Sequence, residues 1–192
     1  MERRAWWRAV APAAMVAAVA CGGGGGGGGS STPACDQSCI DGVAVLGLRD
    51  AIKLVYNVTL QGQPVGAQDQ TTACSQGGTA HVHGTATSNA DQGTTSVMLT
   101  YDFAQCHYSQ VDSDPKQAFD LTITGSVTEQ GIIAVQPSST TSLAFQSDSM
   151  SIVGQVYSPG LDYNETACAV TLAQDGGNLS GTLCGRPAGV AL

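Results

Sequence analysis

A mainly β fold is what this sequence predicts: a bent or partly closed antiparallel meander carrying one N-terminal amphipathic helix. Three observations lead there. Apolar residues recur at helical spacing only between Asp41 and about Asn57, the pattern switches to period two from Thr79 onward, and short turn-rich segments interrupt that second region.

The helix is expected because Val45, Leu48, Ala51, Ile52 and Val55 fall on one face, with Asp41 placed to cap its start and Gly47 weakening its middle. Among the strands, Val97, Leu99, Tyr101 and Phe103 alternate with polar neighbours. Phe119, Leu121, Ile123 and Val127 alternate likewise with Asp120, Thr122, Thr124 and Ser126, and Gly125 is the expected bulge. Further strands are expected over 79–87, 132–135, 142–146, 150–157, 166–173 and 179–184. Asn89-Ala90-Asp91-Gln92-Gly93, Glu129-Gln130-Gly131 and Asp175-Gly176-Gly177 read as the tight turns between them. Consecutive short strands without intervening helices describe a meander, and about 160 residues suffice for one domain with a real core. A β-sandwich is the alternative.

The first residues carry a different signal. Arg3, Arg4 and Arg8 form a positive region, and the twelve residues 9–20 hold no charged or polar side chain, the size of the apolar part of an export signal. A bilayer core of ~30 Å needs ~20 helical residues, so this run is too short to span one. It ends in Ala18-Val19-Ala20-Cys21, and the whole resembles the lipobox of bacterial lipoproteins, with Ala18 where that family most often has Leu. The resemblance covers residues 1–21 only. It implies cleavage before Cys21 and a diacylglycerol on its thiol, hence a membrane as partner and a place in the bacterial cell envelope. Gly22 after the cysteine, rather than Asp, implies onward transport to the outer membrane. An ordinary secretory signal cut near Ala20 is the competing reading, and the Arg3-Arg4 pair leaves the export route open.

Gly22 to Gly29, followed by Ser30, Ser31, Thr32 and Pro33, have nothing apolar to bury and read as a flexible leash in a linker spanning 21–34. The folded domain is then 35–192. The whole chain has 7 Lys+Arg and 15 Asp+Glu; losing Arg3, Arg4, Arg8 and Glu2 leaves 4 and 14, a formal charge of −10. Such acidity argues against nucleic acid as a partner.

With Cys21 assigned to lipid, Cys35, Cys39, Cys74, Cys106, Cys168 and Cys184 remain, and six suggest three disulfides. Cys74 and Cys106 bracket one expected hairpin and Cys168 and Cys184 another, which leaves Cys35 with Cys39. One conflict accompanies this pairing. If Cys74 faces Cys106 across the ladder, His81 and His83 share a face with Leu99 and Val97, whereas the hydrophobic pattern prefers Ala80 and Val82 there; the second hairpin conflicts in the same way. Either each hairpin carries a bulge, or the pairing is wrong, or both faces of the sheet are partly covered.

Sites of chemistry are sparse. His81 and His83 lie on one side of a strand, ~6.5–7 Å apart along it, as two imidazoles that could hold copper or zinc. No carboxylate is fixed beside them by spacing, so surface histidines among threonines are the plainer reading, and no metal or cofactor is expected. Asp112-Ser113-Asp114 reads as an acidic turn because the glycine and closing Glu of a calcium loop are missing. Without a G-x-S-x-G, H-E-x-x-H, S-x-x-K or phosphate-loop motif, no enzyme is expected. Two functions remain: a non-catalytic structural or interaction module with envelope-protein partners, or a carrier of a lipid or other apolar ligand on a concave face lined by Val97, Leu99, Phe119, Leu121 and Ile123.

Overall fold

The structure, a computed structural model, describes residues 35–63, 65–134 and 140–192. The expected signal peptide, Cys21 and the glycine-rich linker lie outside the described residues, which belong to one compact unit.

Helix α1 runs Gln37–Thr59 and starts four residues earlier than its apolar periodicity suggests. Its N-cap is Asp36, whose side chain accepts a hydrogen bond from the Cys39 backbone N–H at 2.9 Å. Asp41 is therefore not the cap; it sits one turn inside the helix and is buried. The Cys35–Cys39 disulfide straddles the cap and ties the preceding residue to the first turn.

Eight strands follow: β1 Gly66–Ala73, β2 Thr79–Asn89, β3 Thr94–Gln110, β4 Phe119–Ala134, β5 Ser142–Val156, β6 Leu161–Asp175, β7 Asn178–Leu183 and β8 Arg186–Ala191. Each pairs antiparallel with its sequence neighbours in a single sheet ordered β1 to β8, which excludes the sandwich alternative. The strands are longer than expected. Glu129-Gln130-Gly131 is not a turn but lies within β4, which continues to Ala134, and the segments at 142–146 and 150–157 are one strand interrupted by register shifts near Ser147 and Met150. Gly125 does mark an irregularity, between Gly125 and Thr128 in the β4–β5 ladder. The Asn89 turn forms as read: Gly93, with φ 59°, closes it, and Asn89 Oδ1 accepts from the Gln92 backbone N–H.

The disulfides Cys74–Cys106 and Cys168–Cys184 are present, and the register conflict disappears for a local reason. In the β2–β3 ladder Ala80 faces Phe103 and Val82 faces Tyr101, so the apolar residues point inward and His81 and His83 outward. Cys74 lies beyond β1 in the connection to β2, and Ala104-Gln105 bulges between Phe103 and Cys106, with Gln105 at φ 53°. In the second hairpin Val170 faces Leu183, while Cys184, at φ 53°, lies just beyond β7 and donates its backbone N–H to the Ala169 carbonyl. Turns and bulges thus absorb the offset, and neither face has to compromise.

The sheet wraps the helix. α1 touches β1 through β6 and also β8, and all eight residues from Asp41 to Leu48 are buried, so this half of the helix is enclosed rather than amphipathic. Beyond it a stripe of Ala51, Ile52, Val55 and Thr59 stays buried while Lys53, Leu54, Asn57 and Val58 face outward. Gly47, which costs helix propensity, stands where β4 comes closest: a Cβ there would lie 2.8 Å from Leu121 Cδ1. Gly42 plays the same part toward β8, 3.0 Å from the Gly189 carbonyl oxygen.

An ion pair between a buried carboxylate and a half-buried guanidinium completes this docking. Arg186 at the start of β8 grips Asp41 with both arms, Nε to Oδ2 at 2.8 Å and Nη2 to Oδ1 at 2.9 Å, and Nη2 also reaches Glu165 Oε1 at 2.6 Å. Tyr163 Oη and Gln37 Nε2 donate to the same carboxylate. Burial would raise the Asp41 pKa, but the hydrogen bonds from Arg186, Gln37 and Tyr163 outweigh it and hold the group below its ordinary 3.8.

Arg186→Met leaves this carboxylate buried without its cation, and a loss of about 3–5 kcal/mol is expected in denaturant unfolding at pH 7. Because the folded-state pKa is depressed, the contribution of Asp41 is complete above the ordinary value and fades as the pH falls below 3.8. The gap between wild type and variant therefore narrows in acid. A gap that is constant from pH 7 to pH 2 would show that the pair does not stabilise the fold electrostatically.

Candidate functional site

Two groupings of chemically capable side chains stand out, one on each face of the sheet. The inner one is a cleft of about 150 Å³ beside the C-terminal half of α1, lined by Arg49, Ile52, Lys53, Tyr56, Glu129 and Gln174 among others. Glu129 points inward from β4 because it shares the parity of Val127, and only 4% of it is exposed. Tyr101 on β3 donates its hydroxyl to Glu129 Oε2 at 2.6 Å. Burial is the main influence and lifts the Glu129 pKa to about 7, although the Tyr101 hydrogen bond and the positive charge of Arg49 pull the other way. Gln174, on the inner face of β6, donates from Nε2 to the Gly176 carbonyl, while its buried Oε1 has no hydrogen-bond partner among the described residues.

The outer grouping spans three strands. His81 and His83 project from β2 with rings stacked, centroids 5.1 Å apart. The ladder sets Asp102 of β3 opposite His81 and Asp69 of β1 opposite His83. His81 Nε2 lies 2.7 Å from Asp69 Oδ1, and its Nδ1 lies 3.5 Å from Asp102 Oδ2; His83 Nε2 reaches the same Oδ2 at 3.3 Å. Ser126 of β4 donates to the other oxygen of Asp102. The hydrogen bond to Asp69 is the chief influence raising the His81 pKa. Farther along β3, His107 pairs separately with Asp120.

The sequence named the two histidines but neither carboxylate, because Asp69 and Asp102 reach them only through ladder register. Glu129 and Gln174 were missed for another reason: polar residues inside a period-two pattern signal an inward site only once strand parity is known. The five residues expected to line a ligand face, Val97, Leu99, Phe119, Leu121 and Ile123, are all buried in the core that α1 helps to fill. Asp112 and Asp114 form the acidic turn that was read, each accepting a backbone N–H two residues ahead, Asp112 from Asp114 and Asp114 from Lys116.

Glu129→Gln keeps an acceptor for Tyr101 and removes the buried charge. A carboxyl whose folded pKa is raised is held most favourably below its unfolded value of 4.5 and weakens the fold progressively as the pH climbs toward 7. The variant is expected to match wild type near pH 4 and to exceed it by about 1–3 kcal/mol at pH 8 in urea unfolding. Equal stability at pH 8 would mean that the carboxyl is solvated rather than buried.

The chain matches no family model, no curated protein and no solved structure.

Proposed function

We propose that this chain is a lipoprotein of a bacterial envelope, tethered through Cys21 to the outer membrane, whose β-domain acts as a non-catalytic structural or interaction module facing the periplasm or the cell surface. The observation that carries the module reading is the occupancy of the concave face: α1 takes the place that an acyl chain would need, and Leu99, Leu121 and Ile123 are at most 1% exposed beneath it. An open sheet wrapped on its own helix, with two disulfides in its strand connections and a third at the helix start, suits a domain presenting its outer face to envelope proteins. Support for the tether is the run of residues ending in Ala18-Val19-Ala20-Cys21 and the glycine leash behind it. Among the described residues no helix is long and apolar enough to cross a membrane.

One observation favours a second reading. The cleft beside Glu129 joins apolar walls, Ile52, Leu143 and Phe145, to an unpartnered Gln174 oxygen, a combination suited to a small ligand with an apolar body and one hydrogen-bond donor. That ligand is much smaller than a lipid.

Intact-mass measurement on protein purified from native membranes tests the principal reading. The expected result is cleavage before Cys21, three acyl chains on the new N-terminus and a gain of six hydrogens on reduction. An unmodified chain in the soluble fraction would overturn the tether, and stoichiometric lipid released by organic extraction beyond the covalent acyl groups would favour a carrier instead.

A further inference from the structure

We propose that the outer face carries a binding site for one divalent transition-metal ion of the zinc and copper(II) class, ligated by His81 Nδ1, His83 Nε2 and Asp102 Oδ2, with Asp69 orienting His81.

The geometry leads there in steps. One donor atom from each of His81, His83 and Asp102 lies within 4.8 Å of the other two. Ligands held ~2.0–2.2 Å from a tetrahedral ion stand about 3.3–3.5 Å apart. The His83–Asp102 and His81–Asp102 separations are 3.3 and 3.5 Å, so two edges of such a tetrahedron are already in place. Two nitrogens and one carboxylate oxygen form a borderline donor set, which suits zinc and copper(II) better than magnesium or calcium.

The surrounding hydrogen bonds sharpen the case. A carboxylate only accepts, so His81 Nε2 must carry the proton that it shares with Asp69. In the neutral ring Nδ1 is then a bare lone pair, and it faces the charged Oδ2 of Asp102. Ser126 donates to Oδ1 of Asp102 and leaves Oδ2 as the oxygen turned to both imidazoles. These atoms converge on one point on the outer face, where a cation can be held between them. The Asp69–His81 hydrogen bond is also the arrangement by which an outer carboxylate fixes the tautomer and orientation of a metal-bound histidine. The residues stand on strands β1, β2 and β3 with paired backbones, so little ordering cost falls on binding. The site is half exposed, which leaves room for water in the remaining positions.

Calorimetric titration of the full chain, produced without a polyhistidine tag and held in detergent, with zinc chloride and separately with copper sulfate, tests this at pH 7.5. The expected result is one ion per chain, copper binding more tightly than zinc, and no response to magnesium. His81→Ala and His83→Ala each weaken zinc binding by on the order of a hundredfold or more, Asp69→Ala by on the order of tenfold, and His107→Ala leaves it unchanged. Electron paramagnetic resonance of the copper form shows two nitrogen ligands in wild type and one in His83→Ala. The substituted side chains lie on the outer face, and melting curves establish that each variant folds. Absence of saturable one-to-one binding, persistence of binding in the His81→Ala/His83→Ala double variant, or its loss in His107→Ala would overturn the proposal.

Discussion

Everything in this domain depends on covering one face of a single open sheet. Eight antiparallel strands joined in sequence order create an inner surface of Val82, Leu99, Tyr101, Leu121, Ile123, Ile152 and Leu172 that must be kept from water, and among the described residues there is no second sheet to do it. The covering element is α1. Because the sheet curls until six consecutive strands and the last one touch the helix, the helix has to be slim where the strands come closest, and glycine at positions 42 and 47 supplies that slimness. Helix propensity, which would favour alanine at both positions by about 0.8–1.0 kcal/mol each, is overruled by packing.

The same constraint explains the buried charges. Once Asp41 is enclosed, a carboxylate one turn into the helix has no water, and the arginine that satisfies it must come from whichever strand lies over that turn. That strand is β8, the last of the meander, so the Asp41–Arg186 pair links the beginning of the domain to its end. Replacement by apolar residues of equal volume could fill the same space with comparable stability, since a buried pair is strong chiefly in what it costs to break. What an ion pair adds is selectivity: only one register of β8 presents Arg186 to both Asp41 and Glu165.

Where the sequence was legible, the physical reason is clear, and so is the reason where it was not. The central strands announced themselves because their inner residues are large and apolar and their outer residues polar, as in the stretch from Phe119 to Val127. The two edge strands did not. β1 buries only Gln68, a polar side chain, fully, and β8 contains Pro187 and Gly189, residues that normally argue against a strand but are tolerated at a sheet edge, where one side of the backbone has no partner. Glu129-Gln130-Gly131 looked like a turn because its composition is that of a turn. Its true role emerges only from the contact between Glu129 and Tyr101, 28 residues away in sequence. The disulfide pairing was readable from spacing, whereas the bulge at Gln105 that reconciles it with the hydrophobic pattern was not, since glutamine carries no signal for a positive φ.

The outer face follows from the inner one. Strand parity is fixed by which side chains are buried, and ladder register is fixed by the turns. Together they leave no freedom over which polar residues become neighbours outside. Ala80 and Val82 turned inward oblige His81 and His83 to turn outward, and the pairings Ala80 with Phe103 and Val82 with Tyr101 oblige Asp102 to stand beside them. A shift of one residue in β3 would place Tyr101 or Phe103 on the water side and would remove Asp102 from the histidines at the same stroke. The core thus protects the outer cluster from drift, even though the cluster projects from the opposite face of the sheet. In a meander wrapped on a helix, the surface chemistry is decided by the packing beneath it.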